Sequence, residues 1–236
     1  MPPTIIFVPG FWEGSAPFEH VASLLQSQGY ATHTAILPST GSVSPKNPNM
    51  LDDVAAIRTK IAESVDKGEE VVLVLHSAGG FLGSNAIEGL TVEVRRAKGL
   101  QGGVKKIVFL AGGVAPEGFK HQPLPFCVFE GGAMNCVTPE KILFNDLDHE
   151  AAQKWAKTLQ TQPATGWDGM VTYCGWREVP SVYLMCENDN CIPPPMQLQM
   201  AEMAGSRIER CAAGHMLMLS MPEKAVEIVK SAADEA

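Results

Sequence analysis

Apolar and polar positions along the chain fall into two alternating kinds of run. Residues 4–8, 71–75, 106–110 and 181–185 are short apolar stretches rich in branched side chains. Such runs predict strands covered on both faces. Residues 31–37 alternate polar and apolar side chains and stop before Pro38, and residues 207–211 give a short last strand. Between these runs the period lengthens. Residues 18–28 have helical spacing and close at Gly29. Leu51, Val54, Ile57, Ile61 and Val65 recur every three or four residues, as one helix face does, up to Gly68. Further helices are predicted after Leu75 through about Leu90 and over residues 195–204. Ser220 and Glu223, flanking Pro222, read as a capping box that opens a last helix with Val226, Ile228 and Val229 on its apolar side.

Six strands separated by helices predict an α/β fold, a mainly parallel sheet with helices on both faces. One interval breaks the rhythm. Some 70 residues between Leu110 and Ser181 carry no clear sheet strand but hold several prolines together with Trp155, Trp167 and Trp176. A structureless loop of that length is unusual in a compact domain. A small helical cap over residues 116–176, with helices near 139–144 and 148–159, is expected, set into a core of residues 1–115 and 177–236.

Composition narrows the classes. The 236 residues carry a formal net charge of −8, which repels phosphate backbones and anionic lipid and argues against nucleic-acid or membrane partners. No apolar run approaches the roughly 20 residues of a membrane span. The start of the chain reads as a first strand and not as a signal peptide, so a cytoplasmic location is expected. The six cysteines form no CxxC pair and are expected to be free thiols, with no metal site and no cofactor. A monomer or homodimer is expected.

In a parallel sheet, ligands bind at the carboxyl ends of the strands. Three such ends carry reactive side chains. Leu75-His76-Ser77-Ala78-Gly79-Gly80 follows a buried strand and precedes a helix, the setting of a nucleophile on a sharp turn. The usual pattern there is GxSxG, and Leu75 replaces its first glycine. Asp189 follows the next strand but one, in the run Glu187-Asn188-Asp189-Asn190, and is preferred over Glu187 as the acid. His215 follows the last strand, placed as a base must be to reach the serine. His20, His33, His76, His121 and His149 are less well placed. The order Ser77, Asp189, His215 is that of a catalytic triad on this type of sheet. The loop Pro9-Gly10-Phe11-Trp12 after the first strand is expected to supply one oxyanion-hole amide, from Phe11, with the other from Ala78.

With these motifs in place, the chain resembles the α/β-hydrolase superfamily over nearly its whole length. It looks most like the small-cap branch of plant methylesterases and hydroxynitrile lyases, with related fungal and bacterial hydrolases. Pro9-Gly10 stands where His-Gly is usual. The lyases of that branch carry threonine at the position of Gly10 and lysine after the catalytic histidine, so Gly10 and Met216 imply the esterase side. The expected reaction is hydrolysis of an ester or lactone of a small hydrophobic molecule. A lyase or cyclase on the same scaffold, and a non-catalytic small-molecule receptor, stand as alternatives. Trp12, Phe126, Met134, Phe144, Trp155, Trp176 and Met216 are expected to line the substrate pocket, with Phe11 and Trp167. The alternative is that the cap aromatics form the cap's own core.

Overall fold

Six parallel strands form the central sheet: β1 (Thr4–Val8), β2 (Thr32–Thr34), β3 (Glu70–His76), β4 (Gly103–Leu110), β8 (Ser181–Cys186) and β9 (Arg207–Cys211), in the spatial order β2-β1-β3-β4-β8-β9. The structure, a computed structural model, describes residues 2–235. Every residue of β1 is buried, as is β3 beyond Glu70, which is why both read as unbroken apolar runs. Helices α1 (Glu19–Gln26) and α9 (Pro222–Asp234) pack together, with α9 against β3, β4 and β8. Helices α2 (Met50–Val65), α3 (Gly79–Ala86) and α4 (Val92–Ala97) pack against the sheet with α2 on α3.

From β1 the chain moves outward to β2, then returns past β1 to β3. The loops leaving β1 and β3 therefore diverge and open a crevice at the carboxyl edge of the sheet. The next functional loops leave β8 and β9, two neighbouring strands paired from Val182 with Arg207 to Cys186 with Cys211.

Three local expectations are corrected. The helix after β3 stops at Ala86, where Gly89 takes a left-handed conformation (φ 73°), and a separate α4 starts at Thr91, whose hydroxyl accepts the Val94 amide. Ser220 does not cap α9. It is the last residue of the short helix α8 (Leu217–Ser220), and its hydroxyl has no partner among the described residues. The segment between β4 and β8 is also not purely helical. Besides α5 (Pro139–Ile142) and α6 (His149–Ala156), it holds a three-stranded antiparallel sheet of β5 (Cys127–Glu130), β6 (Ala133–Cys136) and β7 (Gln162–Pro163). The six cysteines are free thiols. No helix among the described residues is long and apolar enough to cross a membrane.

Candidate active site

Ser77 sits at the turn from β3 into α3 with φ 51°, a left-handed backbone that costs energy for any residue with a Cβ. Its surroundings hold it there by close backbone packing. A Cβ on Gly79 would lie 2.5 Å from the carbonyl oxygens of Val8 and Pro9, and one on Gly80 would overlap the Gly113 carbonyl. The amides of Gly80 and Gly113 both donate to the Ser77 carbonyl, at 2.9 and 2.7 Å. Leu75, the residue that departs from the usual motif, is accommodated one helical turn further on. Its side chain fills the space that a Cβ on Gly83 would need. The missing glycine has in effect moved from strand to helix.

The loop after β1 approaches Ser77 as closely. A Cβ on Gly10 would sit 2.6 Å from the Ser77 Cβ and 3.0 Å from its Oγ. The amides of Phe11 and Ala78 donate to no group among the described residues, whereas the neighbouring Gly10 and Trp12 amides donate to Glu13 (3.1 Å) and to Gln162 (3.2 Å). Trp12 has φ 65°, a second strained residue. It is tied down by the segment between β4 and β8: its carbonyl accepts the Gln160 amide at 2.9 Å, and its indole donates to the Met134 carbonyl at 2.7 Å. Gln162 is in turn held by a buried chain. Its amide donates to the Ser39 hydroxyl (2.6 Å), which donates to Asp53 (2.6 Å). Burial pushes the Asp53 carboxyl up to about 6, against the pull of its two Ser39 hydrogen bonds.

His215 and Asp189 meet at 2.8 Å between Nδ1 and Oδ2, both fully buried. Asp189 is saturated with donors. Oδ1 accepts the Cys191 and Ile192 amides at 2.7 and 2.9 Å, and Oδ2 also accepts Gln197 Nε2 at 3.2 Å. Glu187, the other candidate acid, is exposed and pairs with Arg210. With Nδ1 facing a carboxylate, the free lone pair of the neutral His215 ring is on Nε2. That atom is buried and has no partner among the described residues. The acid and base loops are laced together by Asn188, whose amide donates to the Ala213 carbonyl and whose side chain donates to the Ala212 carbonyl. Two residues beyond α5 pin both loops from above: Asn145 donates to the Asn188 carbonyl (2.8 Å), and Asp146 accepts the Gly214 amide (2.5 Å).

Sequence reasoning set His76 aside, yet its ring lies 4.7 Å from that of His215. Nε2 meets the His215 carbonyl and Nδ1 meets Glu13 Oε2, each at 3.0 Å. A carbonyl only accepts, so Nε2 carries a proton. Burial disfavours a charged ring, but the Glu13 carboxylate and the two hydrogen bonds outweigh it and hold His76 above its ordinary value. Glu13 also receives the Gly10 amide, so this pair couples the loop after β1 to the backbone of His215. Glu13, His76 and His215 bring ligand-type atoms within 4.8 Å of one another, the one metal-compatible group among the described residues. Both His76 nitrogens are already engaged, so a cation would have to displace Glu13 and the carbonyl.

A cavity of about 410 Å³ opens over Ser77 and Ala78. Phe11 and Phe126 line it, as do Phe81, Phe119, His121 and Met196. The other pocket candidates are elsewhere. Trp12, Phe144, Trp155 and Met216 surround a separate, smaller cavity of about 160 Å³. The Trp12 indole donates to the Met134 backbone carbonyl, and neither residue lines the cavity over Ser77. Trp176 donates to the Ala115 carbonyl and stacks under Arg177. Trp167 stands behind the wall, with its ring 4.5 Å from that of Phe11. Gln197, Asp146, Glu13 and His121 were missed. Only His121 carried a signal, as a histidine inside the inserted segment.

A serine on a strained turn at the switch point of a parallel sheet, with a His–Asp pair on the loops of two later strands, defines the α/β-hydrolase class. The chain belongs to the alpha/beta hydrolase family, whose pattern matches residues 5–228. It is 32% identical over 250 residues to the α/β-hydrolase nvfD of Aspergillus novofumigatus, covering 99% of this chain and 98% of that protein. Among solved structures it is similar to a pyrethroid hydrolase from Sphingobium faniae JZ-2 (TM-score 0.75, 19% identity, covering 98% of this chain and 97% of that one). It is also similar to polyneuridine aldehyde esterase (TM-score 0.76, 19% identity, covering 99% and 100%).

Proposed function

We propose that this hydrolase cleaves a carboxylic ester or lactone of a small hydrophobic substrate through an acyl-enzyme on Ser77. The observation that carries the reading is the His215 ring, oriented by Asp189 at Nδ1, with Nε2 left without a partner among the described residues and the ring 4.7 Å from that of His76, the residue before Ser77. In the proposed cycle Nε2 takes the Ser77 proton as Oγ attacks the carbonyl carbon. The carbonyl oxygen becomes an oxyanion facing the amides of Phe11 and Ala78. His215 returns the proton to the leaving alcohol oxygen as the C–O bond breaks. Water, deprotonated by His215, then attacks the acyl-enzyme and regenerates Ser77. Asp189 holds the ring by its hydrogen bond to Nδ1 and stabilises the imidazolium.

Two features support hydrolysis over a lyase reaction. Gly10 leaves no room beside Ser77 for the side chain that the lyases place there. Met216 is buried away from the main cavity and offers no charge to it. The relatives named above as a hydrolase and an esterase point the same way.

A fluorophosphonate probe tests the nucleophile. It is expected to form one adduct, on Ser77, that Ser77→Ala abolishes. A folded wild-type protein that takes no adduct would overturn the reading. A screen of aryl esters, alkyl methyl esters and lactones then separates the substrate classes, and turnover equal in wild type and Ser77→Ala would point to a base-only reaction.

A further inference from the structure

The main cavity has no charged side chain in its lining. Its polar side chains are those of Ser77, His121, Asn190 and Cys191. Asn190 is already engaged through its amide with the Lys141 carbonyl. His121 is different. Its ring lies 4.9 Å edge-on from Phe11, 6.1 Å from Phe81 and 6.2 Å from Trp167. No hydrogen bond or charged neighbour among the described residues acts on it, and burial alone pushes it down to about 4. At neutral pH it is therefore an uncharged imidazole with one N–H donor and one acceptor nitrogen, held among aromatic rings in the wall that faces Ser77.

A polar group so placed, with no protein partner, lowers the free energy of whatever completes its hydrogen bonds. The cavity volume falls within the roughly 300–1,000 Å³ of small-molecule sites. We infer that His121 is the specificity contact of this cavity, selecting esters or lactones of bulky apolar skeletons that carry one uncharged oxygen function, a hydroxyl or ketone, away from the scissile carbonyl. This rests on the hydrolase reading for the reacting end of the substrate only. An anionic substrate is disfavoured because no cation lines the cavity, and burying an unpaired carboxylate is costly. The neutral imidazole answers either a hydroxyl or a ketone, since it donates at one nitrogen and accepts at the other.

The test uses Ser77→Ala protein, which binds without turning over. Calorimetry measures Kd for methyl esters of a naphthalene-sized carboxylic acid bearing hydroxyl, hydrogen, carboxylate or ammonium at the ring position farthest from the ester. The hydroxyl compound is expected to bind about tenfold tighter than the unsubstituted one, the worth of one hydrogen bond to a neutral group. That ratio is expected to fall to about one in Ser77→Ala/His121→Phe, which keeps the aromatic contacts. It is expected to persist in part in Ser77→Ala/His121→Asn, which keeps a donor and an acceptor; this variant decides the question if the phenylalanine protein fails to fold. A ratio unchanged by both substitutions, or tightest binding by the carboxylate or ammonium compound, would overturn the inference. Fluorophosphonate labelling of wild type reads the other claim separately. Labelling with a ratio insensitive to His121 refutes only the specificity contact. A His121-dependent ratio without labelling refutes only the nucleophile.

Discussion

The floor and the roof of the main cavity are built by different means. On the floor, glycine backbone packs against backbone, Gly79 against Val8 and Pro9 and Gly80 against Gly113, and the Gly10 backbone packs against the Ser77 side chain. The roof is made of side chains, Phe119, His121, Leu124 and Phe126, drawn from a stretch with little regular structure before β5. Backbone contacts leave no choice of residue, so the position of Ser77 is over-determined. Side-chain contacts leave many choices, so the roof can vary without disturbing Ser77. On the proposed function, chemistry and selection would be separated within one cavity.

This contrast can be broken or sharpened by substitution. The largest effect is expected from Gly80→Ala, which drives a methyl into the Gly113 carbonyl. Chemical denaturation should show a loss of at least about 3 kcal/mol, or no folded protein. A mild effect would mean the floor is softer than its contacts imply. Leu75→Gly restores the usual motif and should nonetheless destabilise the fold by about 3–5 kcal/mol, because Gly83 leaves nothing to fill the gap. If Leu75→Gly proved neutral, the exchange between positions 75 and 83 would be refuted.

Gly10→Thr is expected to lower ester kcat/KM by about a hundredfold by displacing Ser77, without cyanohydrin cleavage appearing in its place. Asp146→Ala acts at the junction of roof and floor. It strands the Gly214 amide beside His215, and about 1–3 kcal/mol of stability should go with it, kcat falling more than KM changes.

The smallest effect concerns His121 and pH. Its native value of about 4 lies below the ordinary 6.5 of an unfolded histidine. Between those values the unfolded chain binds the proton and the native chain does not, so this contribution is fully present above pH 6.5 and is lost as pH falls toward 4. Wild type should therefore lose up to about 3 kcal/mol relative to His121→Phe over that window, measured by denaturation at several pH values. A constant difference would show that the ring is not buried in its neutral form.

Much of the floor was legible in the sequence, because buried parallel strands leave unbroken apolar runs and the reactive residues must follow them. That rule picked out Ser77, Asp189 and His215 as candidates, and the structure joins Asp189, not Glu187, to His215. The roof was not legible. In β5, Val128 and Phe129 are neighbours and both are exposed, so the strand lacks the alternation that marks one. Trp12 follows Phe11 directly, yet its left-handed backbone and its bond to Met134 send the indole elsewhere. Asp146 acts on the Gly214 amide, 68 residues on, and Gln197 reaches Asp189 across the turn before its helix, and neither pairing follows a motif that spacing would show.

Two hydrogen bonds, from the Gln160 amide to the Trp12 carbonyl and from the Trp12 amide to the Gln162 side chain, have a further consequence. They fasten the covering segment to the loop that carries the Phe11 amide. A cover hinged to swing clear would tear away the support of the amide it is meant to shelter. If the cavity takes a substrate, admission would then rest on side chains moving around a frame that stays in place.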